Sequence, residues 1–458
     1  MKKLNSAISI LLCAVIALST LAYGTVHQPT IALFYLTVAA ICILWAVECF
    51  MRRELAFSRS AVQIPLIAAV AYSIIQIIPF GTAVNGTGLD GISRQISVSP
   101  YDTGQTAIQF ASIAIFLALL LVYLNSAKRL EKVINFLLIF GFAYAFFAVL
   151  QSFLSPTKIY GIYERPTPFG TFVNRHNFAA YMEMMIALPL GMLLSGAVAR
   201  DKKLLYVTGI AMMGLALLLS GSRGGMISIL AAVILLLVLT SRAKGTKKII
   251  LRAGLAIVMI GVIVGGVVLI GGESALSRVA DTAKAGDIST DRTRIWAITG
   301  KVIAANMPFG AGFGAFAQAY TPFDSFNGLE RVEQAHNDYL QMLADAGIAG
   351  LLIGAFFLFS IYRAATKGIA EKNGFRRGIA FGALAAIFAV LVHSLFDFVL
   401  HTTAVALLFV MMIALLTASG RTMNDDIQTF DDDRRVRRKK ATVTAIDGDT
   451  SKVRIGRG

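Results

Sequence analysis

QTAIQFASIAIFLALLLVYL, residues 105–124, is twenty residues long and carries no charge. As a helix it would extend about 30 Å, the thickness of a bilayer's hydrocarbon core. Comparable apolar runs recur at 5–23, 31–50, 61–79, 131–153, 177–198, 204–220, 224–240, 249–270, 339–362, 377–396 and 401–418. Hydrophobic residues make up 57% of the 458 and mean hydropathy is +0.72, beyond the roughly 50% apolar content of a soluble domain. The pattern predicts an all-α integral membrane protein with about twelve transmembrane helices in residues 1–420. The charged tail, 421–458, is expected to be disordered and cytoplasmic. Lys2 and Lys3 ahead of the first run resemble a signal peptide, but no small-x-small cleavage site follows, so the run is read as a helix.

Basic residues set the expected orientation. Segments 51–59, 126–132, 199–203, 241–248 and 363–377, with the two termini, hold most of the 42 Lys and Arg. By the positive-inside rule these face the cytoplasm, as do both termini. The net charge of +16 is then a topological signal, and no nucleic-acid partner is expected. Cys13, Cys42 and Cys49 fall inside apolar runs at no metal-ligand spacing and read as packing residues.

That topology leaves three long outer segments, roughly 80–104, 154–176 and 271–338, the last between the ninth and tenth helices. His27, His176, His336, His393 and His401 all map to outer loops or outer helix ends, which predicts one polar site on that face. Every even-numbered helix starts there, presenting partial positive charge and unpaired N–H groups that suit an anion. GSRGG (221–225) opens the eighth, and Arg223 supplies a fork of donors suited to phosphate; the competing reading is a snorkelling arginine in a tight turn. FVNRHNFAAYM (172–182) opens the sixth, with Arg175 and His176 at its mouth and Asn174 as a candidate cap.

In the long outer segment, Ile295, Ile298, Val302 and Ile303 fall at helical spacing, predicting a surface helix on the membrane that starts beside Arg292 and Arg294. FGAGFGAF (309–316) lacks the spacing of a nucleotide loop and reads as a tight turn. His336 leads HNDYLQMLADAGIAG (336–350). As a helix this puts Gly347 near the azimuth of His336, with Gly350 about 40° away, a stripe on which a neighbouring helix packs closely. Asn337 and Asp338 either cap that helix or orient the imidazole. Asp397, in VHSLFDFVLH (392–401), either faces the site or pairs with His393 four residues earlier. No outer segment has a paired DxD, which disfavours a metal-dependent transferase; no metal site and no cofactor are expected.

HNDYLQMLADAGIAG fits the pattern His, then Asn, Ser or Gln, nine residues, then GxxG. It resembles the signature of the bacterial O-antigen ligase superfamily, which includes O-antigen polymerases and protein O-oligosaccharyltransferases. GTFVNRHNFAAYM, GSRGG, RTRIW, PFGAGFGAF and HSLFDFVLH follow the family's order, over roughly 150–405. The resemblance implies a GT-C-like glycosyltransferase of the bacterial inner membrane with its site on the periplasmic side, partly in loop 271–338. The implied donor is a glycan on undecaprenyl diphosphate; the acceptor is lipid A core sugar, a growing repeat-unit chain or a protein hydroxyl. Carried over by motif, the catalytic residues are His336 as general base with Arg223 and Arg292 on the diphosphate. Arg294, Asn337, Arg175 and Asp397 complete the expected substrate-binding set. RHN at 175–177 departs from the RNH or PN of many relatives, which leaves His176 without a motif role. Ligase is the leading reading, then polymerase, then protein glycosylation; the opposing class is a flippase or transporter, which needs ionisable groups near mid-membrane.

Overall fold

The computed structural model describes residues 2–81, 94–241, 290–325 and 331–421. Helices α1 (Lys2–Leu21), α2 (Gln28–Arg52), α3 (Ile64–Ile77), α4 (Pro100–Tyr123) and α5 (Ala127–Leu154) lead to a hairpin of β1 (Lys158–Ile159) and β2 (Tyr163–Glu164). Next come α6 (Arg175–Ser195), α7 (Lys203–Leu219) and α8 (Arg223–Thr240). After the undescribed stretch follow α9 (Thr290–Asn306), α10 (Phe316–Tyr320), α11 (Asp338–Ile369), α12 (Gly374–His393) and α13 (Thr403–Ser419). Nine helices among the described residues are long and apolar enough to cross a membrane, and two shorter apolar ones, Ala61–Ile77 and Thr403–Ser419, accompany them. The protein is a multi-pass α-helical membrane protein. These helices occupy eleven of the expected runs; the ninth, 249–270, lies outside the described residues, as do 271–289 of the outer loop and 422–458 of the tail.

Three helices form the interior. Both α6 and α13 are buried almost all round, as expected of helices that meet protein on every face. Between α6 and α12 the backbones nearly touch: a Cβ on Gly191 would lie 2.4 Å from Gly382 Cα, and one on Gly382 would lie 2.3 Å from Leu188 O. Small residues permit such approach where lipid supplies no hydrophobic drive between helices. Around this core α2, α7, α8 and α11 turn Leu36, Ile43, Leu204, Ile234, Leu352 and other large apolar side chains outward.

Two expectations for the outer region are corrected. Helix α9 forms where the periodicity placed it, but Ile295, Ile298 and Val302 are buried against Phe316, Tyr320, Ala335 and Ala344. Its apolar face is therefore covered by protein rather than lipid. Helix α11 does not run straight through its glycines, because Gly347 breaks it at φ 54°, ψ −137°. A Cβ there would lie 2.1 Å from Pro308 O, so what packs on Gly347 is the 308–314 loop and not another helix. The break frees two carbonyls and an amide, and the loop pairs with all three: Ala311 N donates to Ala344 O and Gly312 N to Asp345 O, while Pro308 O accepts from Ile348 N. Gln76 of α3 closes the joint, donating to Phe309 O and Asp345 O and accepting from Phe313 N. Backbone groups at membrane depth must find such partners. Gly310, Gly312 and Gly314 all have positive φ and lie against Asp345 O, Ser97 and Thr106. The FGAGFGAF turn is thus a docking surface between α3, α4 and α11.

Candidate functional site

The loop after α12 carries Asp397, buried to 1% relative exposure. Its Oδ1 lies 3.2 Å from His336 Nδ1 and accepts from Phe398 N at 3.0 Å. Its Oδ2 pairs with Arg292 at 3.3 Å and lies 3.9 Å from His176 Nδ1. Burial alone would raise the Asp397 pKa, but the His336 hydrogen bond and the nearby imidazoles outweigh it and hold it below the ordinary carboxylate range. An ionised carboxylate only accepts. His336 Nδ1 is therefore the donor, and its Nε2 is the basic nitrogen, on a ring that is 32% exposed.

The backbone around His336 is clamped on both sides. The residue has φ 49°, a left-handed conformation that costs a non-glycine residue of order 1–2 kcal/mol. Before it, Ala335 N donates to Gln341 Oε1 and Ala335 O accepts from Trp296 Nε1. After it, Asn337 caps α11, its Oδ1 accepting from Tyr339 N and Leu340 N while its amide donates to Leu395 O. Of the two roles open to Asn337, capping is the one its contacts fill. Asp338 binds Ser394 Oγ at 2.7 Å and His401 Nδ1 at 3.1 Å. Burial works against charge on His401, but the Asp338 hydrogen bond prevails and raises its pKa.

Opposite Asp397 lie the starts of α6 and α8. His176 Nδ1 hydrogen-bonds Ser222 Oγ at 2.9 Å, and Ser222 caps α8 through Gly225 N. Asn174 caps α6 through His176 N. Arg223 follows Ser222, exposed and with no ion pair among the described residues. Arg175 Nη1 lies 3.7 Å from the Cβ position of Gly221, so Arg175, His176 and Arg223 adjoin one turn. Arg292 and Arg294 diverge: the first reaches Asp397, whereas the second lies by Tyr320.

His393 does not pair with Asp397. Its Nδ1 lies 3.1 Å from Glu183 Oε2, both side chains fully buried, and its Nε2 presses on Gly224, 2.8 Å from where a Cβ would stand. Glu183 escaped the sequence reading. The available signal was a lone carboxylate inside an apolar span, costly unless paired. All five histidines thus lie at one end of the bundle, where four gather in one cluster and His27, whose turn meets Phe172 and Thr402 through Gly24, packs edge-on against Tyr23 and Tyr163.

This geometry sets an oriented imidazole among arginines and helix starts. Residues 208–355 match the O-antigen ligase family model. The O-antigen ligase match takes in Arg223, Arg292, Arg294, His336 and the Gly347 break, and it supports the ligase and polymerase superfamily that the motifs resemble. Arg175, His176, Glu183, His393 and Asp397 lie outside the matched residues, so their place in the cluster rests on the structure. A comparison with curated proteins gives no match.

Proposed function

We propose that the protein moves a glycan from undecaprenyl diphosphate to an acceptor, foremost the lipid A core, at the periplasmic face of the bacterial inner membrane. The O-antigen ligase match supports a membrane glycosyltransferase of the ligase or polymerase kind. The observation that carries the mechanism is His336 Nδ1 held on buried Asp397, with Arg292 on the other carboxylate oxygen.

Attack by an acceptor hydroxyl at the anomeric carbon forms one C–O bond and breaks the bond to diphosphate. The hydroxyl proton passes to His336 Nε2, and the imidazolium it forms is stabilised by Asp397. Negative charge grows on the leaving diphosphate, where the guanidiniums of Arg223 and Arg292 stabilise it. Arg292 makes one long contact to Asp397, which leaves other donors of its fork for phosphate. Arg175 stands next to the same turn as a further anion contact. Displacement in one step inverts the anomeric centre, and anomeric NMR of the product showing retention would overturn that stereochemistry.

The reaction class is tested by profiling cell-surface glycolipids and carrier-linked glycans in the native host, wild type against a deletion and His336→Ala. Full-length glycan left on the carrier, with a bare acceptor in both mutants, is the expected result. Single repeat units on the acceptor without long chains would instead identify a repeat-unit polymerase. A normal profile in His336→Ala would refute the role of the histidine.

A further inference from the structure

At the end of the bundle remote from His336 the structure holds a cleft of about 330 Å³ that the transfer reaction does not use. It opens between the start of α5, the α6–α7 connection and the start of α12. Met192, on its wall, is seventeen residues along α6 from Arg175, about 25 Å from the candidate site. The basic loops of this end are those expected in the cytoplasm.

The cleft is divided by chemistry. Ile134, Met192, Val198, Tyr206 and Phe375 make an apolar floor, and Lys128, Lys202 and Glu131 stand at the mouth. Lys202 is paired with Glu131 at 2.9 Å, which leaves the Lys128 charge unmatched among the described residues. In the chain, Lys132, Arg200, Lys203 and Arg376 directly adjoin lining residues, against the single acid Asp201. Asn135 lies deeper, half-buried on the wall, and its side chain forms no hydrogen bond within the described residues. The cleft thus sets an amide with no protein partner among the described residues below an ammonium with no ion pair among them, beside an apolar floor, an arrangement that matches a phosphate headgroup joined to acyl chains.

We infer that this cleft binds the headgroup of an anionic phospholipid, with phosphate at Lys128, headgroup hydroxyls at Asn135 and the first acyl carbons on the floor. Charge complementarity selects an anionic over a zwitterionic lipid, since a lysine at a membrane surface favours an anionic one by about fivefold. The inference stands apart from the transfer reaction and is tested without an activity assay.

The test uses native mass spectrometry of the purified, delipidated full chain, mixed with dioleoyl phosphatidylglycerol or dioleoyl phosphatidylcholine. Wild type is expected to retain one phosphatidylglycerol in preference to phosphatidylcholine. Lys128→Glu removes charge from the mouth, and Ala127→Trp fills the cleft at the first position of α5 without changing charge. Each is expected to lower the retained fraction at least about fivefold, whereas Lys367→Glu, a charge reversal on the same side outside the cleft, leaves it unchanged. Equal retention of the two lipids overturns the inference, as does an equal loss in Lys367→Glu or wild-type retention in both cleft variants. Displacement of the lipid by equimolar glycerol phosphate also overturns it, because the floor would then contribute nothing. Unchanged thermal midpoints establish that the variants are folded.

Discussion

At the scale of single residues, the site turns on which nitrogen of His336 is basic, and Asp397 decides that. If His336 is the proton acceptor as proposed, His336→Ala should lower transfer by about 10² or more with the fold retained. Asp397→Asn keeps the size of the side chain but offers a neutral amide, so it no longer specifies the Nδ1–H tautomer. Transfer should fall by a comparable factor, and the lowered Asp397 pKa ties folding stability to pH on the acid side. A group held below its ordinary value stabilises the fold above that value and loses its effect as pH falls through the folded one. Wild type should therefore lose thermal stability on acidification below the aspartate range, and Asp397→Asn should lose less; equal losses in fluorescence-monitored melts would remove Asp397 from the account. His401 has the opposite sign. Its raised pKa gives stability that is fully present below the ordinary histidine value and lost as pH rises through the folded one. The melting temperature should accordingly fall from neutral toward alkaline pH, and Asp338→Asn should flatten that slope.

At the scale of elements, hydropathy reports what membrane insertion requires, so every described span was legible as a run of apolar residues. Where the reading failed, the cause was tertiary. Gly347 shares an azimuth with His336 only on a continuous helix, but the freed carbonyls of Ala344 and Asp345 bond to Ala311 and Gly312, partners more than thirty residues away. The apolar face of α9 was visible from its spacing, whereas what covers it, Phe316, Tyr320 and Ala335, was not. The glycine at the break carries a direct test. Gly347→Ala must place a Cβ against Pro308 O at a positive φ, a combination that destabilises by about 2 kcal/mol or more. The 308–314 loop would be displaced with it. Gly350→Ala also brings a Cβ near a backbone oxygen, Met342 O at 2.7 Å, but without the positive φ and less closely than at Gly347, and should cost less. Denaturant titration that ranks the two in reverse would show that the break is not what fixes this joint.

At the scale of the whole molecule, the site is assembled by contacts that a linear reading has no means to supply: His336 to Asp397 across 61 residues, Arg292 to Asp397 across 105, and Glu183 to His393 across 210. The residue types were legible because outer polar groups are scarce in so apolar a chain; their pairing was not. Glu183 and His393 join the two most closely packed helices, α6 and α12, and the imidazole also supports the Gly224 turn beside Arg223. Removing one member leaves a buried polar group without its partner, so Glu183→Leu or His393→Leu should each destabilise by about 3 kcal/mol. The double variant leaves neither group stranded and should be more stable than the sum of the singles implies, since a buried pair is often matched by apolar side chains of similar size. Unfolding in graded SDS, followed by far-ultraviolet circular dichroism, measures the cycle. A coupling of about 2 kcal/mol identifies a lock between α6 and α12. Strict additivity would mean that the glycine contact alone holds these helices together, and that His393 reaches Gly224 without help from Glu183.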